Sequence, residues 1–397
     1  MRRLTIPRRL RGVDHDSWFI GAVVTLCLLG TIAVYGAGSF RSQSLGQYHY
    51  LLAHLQRLAI GLVGAIVLAT VDHTRFRRDW LVWSALGIGL GLTALPVVLR
   101  GLGIDRWIEV GGLGQFQPIE LAKLALVLFL AYRLSVSPLD RPLGARQLAI
   151  TLGAGPLLLM LLLALQPNFG NVVVMALVTI LMLHLAGLDR RWLLAVAPVG
   201  AAAALVGYVC VSKLQVRIDQ WLLGWRGVGV AGELPFSDQV FRALLGMGAG
   251  GWHGLGPGNS HNKFSFLPEN HTDFAISYLG EELGLIGTTT VVVALLVLAW
   301  RSLVIAGRAP TRFSQLLAAG LGGMIFIYGV ANIAMVTGVI PVMGVPLPFV
   351  SYGGSALVTN LAAVGIILNV DRQSRGRRQR TPGIRRLSLF DRATERR

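Results

Sequence analysis

Residues 18–37, WFIGAVVTLCLLGTIAVYGA, run for twenty positions without a charged side chain. A helix rises about 1.5 Å per residue, so this run is about 30 Å long, the depth of a bilayer's hydrocarbon core. Further windows of this kind follow at 51–71, 80–99, 118–134, 147–166, 171–188, 192–212, 274–300, 313–337 and 355–370. Across the 397 residues, 54% are hydrophobic and 14% charged, whereas an ordinary soluble domain carries about 25% charged residues. A soluble globular domain is therefore excluded. The expectation is an all-α, polytopic membrane protein of about ten transmembrane helices. The first window follows a basic start, as a secretory leader does, but it is too long and lacks a small-residue cleavage motif, so it reads as a retained span.

Charge places the ends. Positions 1–12 hold five arginines and no acid, and positions 371–397 hold ten arginines against Asp371, Asp391 and Glu395. With the N-terminus inside, the inner segments collect 26 Lys and Arg and the outer segments 8. Basic residues concentrate on the cytoplasmic side, so both termini are expected there. The chain divides into a basic tail (1–17), a ten-span membrane domain (18–370) and a second basic tail (371–397). A large extracytoplasmic loop, 213–273, lies between spans seven and eight. Arginine blocks abutting apolar runs act as topology signals, which argues against nucleic acid as a partner. Cys27 and Cys210 lie in separate apolar runs and suggest no disulfide.

Polar chemistry is costly beside lipid, and it gathers on the outer side. In Gln117-Pro118-Ile119-Glu120-Leu121-Ala122-Lys123, proline suits a first helical turn, and Glu120 and Lys123 share a face. The spacing leaves two readings: an internal ion pair, or a fixed cation facing an anionic ligand. Arg106 and Trp107 add a cation and an aromatic group at interface depth. Residues 246–258 contain seven glycines, whose exposed N–H groups suit either phosphate oxygens or close packing on a helix. His271, Thr272 and Asp273 stand where water gives way to a long apolar run. There Asp273 reads as a helix cap or, partly desolvated, as a general base. Glu281 and Glu282 lie about two turns further in and need partners, for which Lys123 or Arg57 are candidates. His54 and Arg57 share a face near the outer end of the second span. His184 reads as a satisfied contact. The histidines show no metal-ligand spacing, so no dedicated metal site is expected, although a divalent cation bridging phosphate and carboxylate is compatible.

As a set, four segments resemble the SEDS family, the FtsW/RodA group. They are Arg106-Trp107-Ile108 with Phe116 through Lys123; Gln166-Pro167-Asn168-Phe169-Gly170; Leu267-Pro268-Glu269 through His271-Thr272-Asp273-Phe274 to Glu281-Glu282-Leu283-Gly284; and Pro348 through Ser355. Gly258-Asn259-Ser260 followed by Lys263 leans towards the FtsW branch. Ile119 stands where the family commonly has serine, Asn168 where it has aspartate, and Ala275-Ile276-Ser277 where it has Ile-Phe-Ala.

The resemblance implies a peptidoglycan glycosyltransferase of the bacterial inner membrane that polymerises lipid II into a growing glycan strand on its outer face, with a single-span class B penicillin-binding protein as partner. It implies Asp273 as the catalytic residue. Substrate binding would fall to Lys123, Glu120, Arg106, Trp107, His271, Ser351 and Ser355. Two rival classes share the architecture: a transporter of a lipid-linked cell-wall precursor, and a scaffold that only recruits the transpeptidase.

Overall fold

The computed structural model describes residues 15–41, 48–71, 73–99, 106–110, 114–136, 145–188, 200, 202, 205–226, 238–260 and 273–380. Residues 1–14 and 381–397 of the basic ends, about half of the 192–212 window, Lys263 and His271 lie outside the described residues, whereas 371–380 of the second basic tail continue the last helix. The described chain is nearly all helix. The helices are α1 (His15–Arg41), α2 (His49–Thr70), α3 (Asp79–Val98), α4 (Pro118–Ser135), α5 (Ala145–Leu152), α6 (Leu158–Leu165), α7 (Phe169–Leu185), α8 (Ser212–Arg226), α9 (Asp238–Gly250), α10 (Ala275–Arg308), α11 (Arg312–Val336) and α12 (Gly354–Arg380). A π turn at Gly153–Leu157 joins α5 to α6. Pro156 inside it has no N–H to give, and the wider turn absorbs the missing bond.

Among the described residues, seven helical segments are long and apolar enough to cross a membrane: α1, α2, α3, the α5–α6 pair, α10, α11 and α12. This is the architecture of a polytopic membrane protein. Two expected spans fall short of that standard for clear reasons. Helix α7 has 17 residues, and α4 carries Glu120, Lys123 and Arg133. Helix α4 tolerates those charges because it is enclosed: Leu126, Val127, Phe129, Leu130, Ala131 and Leu134 are all buried. In α11, 72% of the most apolar stretch is buried, against 17% in α2. So α11 and α4 form the centre, and α2 turns leucine, isoleucine and valine outward as a lipid-facing helix does.

The expected all-α class matches the nearly all-helical described chain, with one short addition: β1 (Ile108–Val110) and β2 (Gly114–Phe116) pair antiparallel, Ile108 opposite Phe116, just before α4. The stretch 213–273 contains most of α8 and the whole of α9, and α9 packs along α10.

Helix α10 holds the sharpest departure from regularity. Gly284 takes φ 66° and ψ −159°, which interrupts the helical ladder inside an apolar segment. In an unbroken helix the N–H groups of Leu285 and Ile286 bond the carbonyls of Glu281 and Glu282. Here Leu285 N–H donates to Gly251 O at 2.9 Å and Ile286 N–H to Trp252 O at 3.3 Å. The two freed carbonyls accept instead from Leu255 N–H at 2.9 Å and Gly256 N–H at 3.0 Å. The glycine-rich loop is thus spliced into the break and satisfies both halves, as buried backbone requires. Only glycine allows so close an approach: a Cβ on Gly284 would lie 2.5 Å from Gly254 N and 2.6 Å from the Trp252 carbonyl. Gly284→Ala is expected to cost about 2–4 kcal/mol, from positive φ and overpacking together, read as a lowered unfolding temperature in detergent.

Candidate active site

Three described parts of these segments meet Tyr328 or Asn332 on α11: Lys123 directly, the 166–170 turn through Asn171, and the main chain of Asp273. Helix α4 begins at Pro118, where proline's missing N–H costs nothing, and this fixes Glu120 and Lys123 one turn apart. Lys123 Nζ lies 2.6 Å from Glu120 Oε2, with both side chains only 1% exposed. The ammonium also sits 4.2 Å from the centre of the Tyr328 ring on α11, an attraction that strengthens without water. The Tyr328 hydroxyl donates to Asn171 Oδ1 at 2.6 Å, and Asn171 Nδ2 donates to Asn168 Oδ1 at 2.9 Å. A buried polar chain therefore runs from Glu120 through Lys123 and Tyr328 to the turn that starts α7.

Arg106 anchors the same turn from the hairpin side. Its Nε donates to Gln166 O at 3.0 Å and its Nη2 to Pro167 O at 2.6 Å. The adjacent Trp107 is exposed, as an interfacial anchor is. Gly170 packs against the main chain of Met343, which brings the 338–353 segment onto the turn.

Asp273 joins this group through α11. Asn332 uses both amide hydrogens, donating to Asp273 O and to Val345 O, each at 2.7 Å. Tyr328 and Asn332 are four residues apart and share a helical face. One touches Lys123 and the other holds the main chain of Asp273, so these two contacts lie about one turn apart along α11. Asp273 is half-buried. Its carboxylate lies beside Gly344, where a Cβ would come within 3.4 Å of Oδ2 and where φ is +67°.

Ser351 and Ser355 are buried and serve the backbone. Leu347 N–H donates to Ser351 Oγ at 2.8 Å, and Gln117 N–H donates to Ser355 Oγ at 3.2 Å. The second bond ties the start of α12 to the start of α4. His271 lies outside the described residues.

The glutamates expected to pair with Lys123 or Arg57 have other partners. Glu281 accepts from the Ser260 hydroxyl at 2.5 Å and Glu282 from Gly258 N–H at 2.8 Å. Lys123 is paired with Glu120, and Arg57 lies over the Tyr352 ring at 4.9 Å. The N–H groups of Leu255, Gly256 and Gly258 in the glycine-rich loop are spent on α10, so of the two readings of that loop, close packing on a helix is the one realised. Among the described residues, no three His, Cys, Asp or Glu side chains gather as a metal site.

Sequence reasoning missed Tyr328, Asn332 and Asn171. Each is a neutral polar group within an apolar helix, and a scan for ionisable residues passes over them. The usable signal was their cost in a lipid setting unless paired.

The family model for cell cycle proteins covering FtsW, RodA and SpoVE matches residues 17–376. Stage V sporulation protein E of Bacillus subtilis (strain 168) is 35% identical over 364 residues, covering 89% of this chain and 96% of that protein. The probable peptidoglycan glycosyltransferase FtsW of Geobacter sp. (strain M18) is 33% identical over 383 residues, covering 93% and 99%. Among solved structures, a chain from a peptidoglycan synthase complex that coordinates polymerization and crosslinking aligns with a TM-score of 0.70 at 25% identity, covering 92% of this chain and 99% of that one. The rod shape determining protein RodA of Thermus thermophilus aligns at 0.63 and 26% identity, with the same coverage. A family match across nearly the whole chain, together with relatives up to 35% identical over most of its length, makes this chain a member of the SEDS family, the FtsW/RodA/SpoVE group.

Proposed function

We propose that this protein is a peptidoglycan glycosyltransferase that polymerises lipid II into glycan strands at the outer face of the cytoplasmic membrane, with Asp273 as general base. The carboxylate takes the proton from a sugar hydroxyl of one lipid-linked molecule as that oxygen attacks the anomeric carbon of another. The bond to the polyprenyl pyrophosphate breaks, and the leaving group carries away the electron pair. Lys123 stabilises the charge that develops there, an electrostatic effect that grows where water is excluded. Glu120 and Tyr328 hold the ammonium in place, and Arg106 supports it by fixing the 166–170 turn. Trp107 and His271 contact the head group, while Ser351 and Ser355 shape the loop on which it rests.

The observation that carries this reading is the shared face of α11, on which Tyr328 meets Lys123 and Asn332 holds Asp273. A base and a fixed cation held at neighbouring turns of α11 supply the proximity that a two-substrate transfer needs. The proposal includes ten spans, cytoplasmic termini, a lean towards the FtsW branch, and a single-span penicillin-binding protein as the partner that cross-links the product. The relatives named as glycosyltransferases and the likeness to a synthase complex support it.

One feature favours the transporter reading: helices broken inside the membrane recur in transporters, and α10 is broken at Gly284. Here, however, the protein's own loop fills the break. The test is purified protein with its transpeptidase and lipid II in detergent. Glycan strands resolved on a gel are the expected product. A transporter, with no second side to deliver to, makes none.

A further inference from the structure

A cavity of about 110 Å³ lies between α8, α9 and the segment after α11, and none of the chemistry above uses it. Its wall carries Arg217, Gln220 and Gln239, with the Trp221 ring beside them and Ile340 and Val342 as an apolar floor. The indole N–H of Trp221 is committed to Gly338 O at 2.9 Å, as is that of Trp225 at 3.0 Å, so α8 is pinned to the chain segment that forms the floor. Arg217 Nη1 makes a long contact of 3.4 Å with Val342 O. Among the described residues no carboxylate pairs with Arg217. Asp219, two positions on, accepts from the Tyr208 hydroxyl at 2.9 Å.

The position of this cavity matters as much as its lining. Val342 stands two residues before Gly344, whose backbone abuts the Asp273 carboxylate. Chain spans at most about 3.6 Å per residue, so the floor at Val342 is no more than about 7 Å from Gly344, which the carboxylate adjoins. A group seated in the cavity therefore lies close to the segment that the proposed base adjoins.

We propose that this cavity binds the carboxyl-terminal end of the substrate's peptide stem. The argument is one of complementarity. A guanidinium pairs with a planar carboxylate, two primary amides match a peptide bond's donor and acceptor, and the apolar floor takes a small alkyl side chain. A bare phosphate would leave the floor and the amides unused. The proposal rests on the reading of the substrate as a lipid-linked disaccharide-peptide.

The test uses the full-length protein in detergent and two soluble probes: the lipid-free disaccharide-pentapeptide, and the same molecule with its terminal carboxylate converted to carboxamide. Saturation-transfer NMR should show the acid bound to wild type about tenfold more tightly than the amide, with the difference lost in Arg217→Gln and partly restored in Arg217→Lys. In polymerisation assays Arg217→Gln should raise KM for lipid II by a similar factor, with kcat within about twofold of wild type. Equal binding of acid and amide to wild type overturns the proposal, as does competition by inorganic phosphate at the same concentration as the peptide. Discrimination in the binding assay without any polymer from wild type sinks the glycosyltransferase reading and leaves the peptide site standing. Normal polymerisation without discrimination does the reverse.

Discussion

Replacing Asp273 by asparagine is expected to lower the rate of glycan polymerisation by about 10²–10⁴-fold, the range that a positioned general base contributes. The fold should not notice. Asparagine matches aspartate in shape, and the bond that ties this position to α11 runs from Asn332 to the main-chain oxygen of residue 273, which the substitution keeps. The unfolding temperature in detergent should therefore stay within about 2 °C of wild type. Asp273→Glu makes a sharper test. It keeps the acid but pushes the carboxyl about one bond length further, into the space beside Gly344, and misplacement on that scale costs about 10²-fold. A purified Asp273→Asn protein that makes strands at near-normal rate removes the carboxylate from the mechanism. A scaffold would give that result as well.

What the sequence shows and hides at this site follows from the range of each interaction. Apolar runs declare themselves, because a helix beside lipid must be apolar over about 20 residues, and the windows for α1, α2, α3 and α11 fall within a few residues of the helices found, while α12 runs ten residues past its window into the basic tail. The break in α10 is silent in composition. Leu283, Gly284, Leu285, Ile286 and Gly287 look like any apolar stretch, and the reason to break there is a loop about thirty residues earlier that supplies the missing bonds. The hairpin at 108–116 is too short to show a two-residue period, and α8 and α9 hide in a segment that length and polarity mark only as a loop. Glu120, Lys123 and Asp273 stood out because charge is expensive near a bilayer. That Lys123 and the main chain of Asp273 meet neighbouring positions of α11 did not, because those contacts are made by Tyr328 and Asn332, neutral groups on a helix that reads as core. Local cost is visible in one dimension; which costs cancel one another is a matter of three.

Lys123 offers the stronger test of whether the buried pair is structure or chemistry. With both partners 1% exposed and 2.6 Å apart, removing one strands the other charge in a low-dielectric setting, at a cost of about 3–5 kcal/mol. Lys123→Met alone should thus lower both stability and activity, and the activity loss by itself would say little. Adding Glu120→Leu removes the stranded charge. Replacing a buried ion pair with apolar side chains of similar volume is often neutral or stabilising, so the double variant should recover most of the lost unfolding temperature. If Lys123 stabilises the departing pyrophosphate, polymerisation should not recover with it, and kcat should stay about 10²–10³-fold below wild type, the usual effect of losing one preorganised electrostatic contact. If the pair only holds α4 against α11, activity should return in step with stability. The two outcomes diverge in a single protein measured twice, once by thermal unfolding and once by strand synthesis, so the assignment of Lys123 stands or falls on their disagreement.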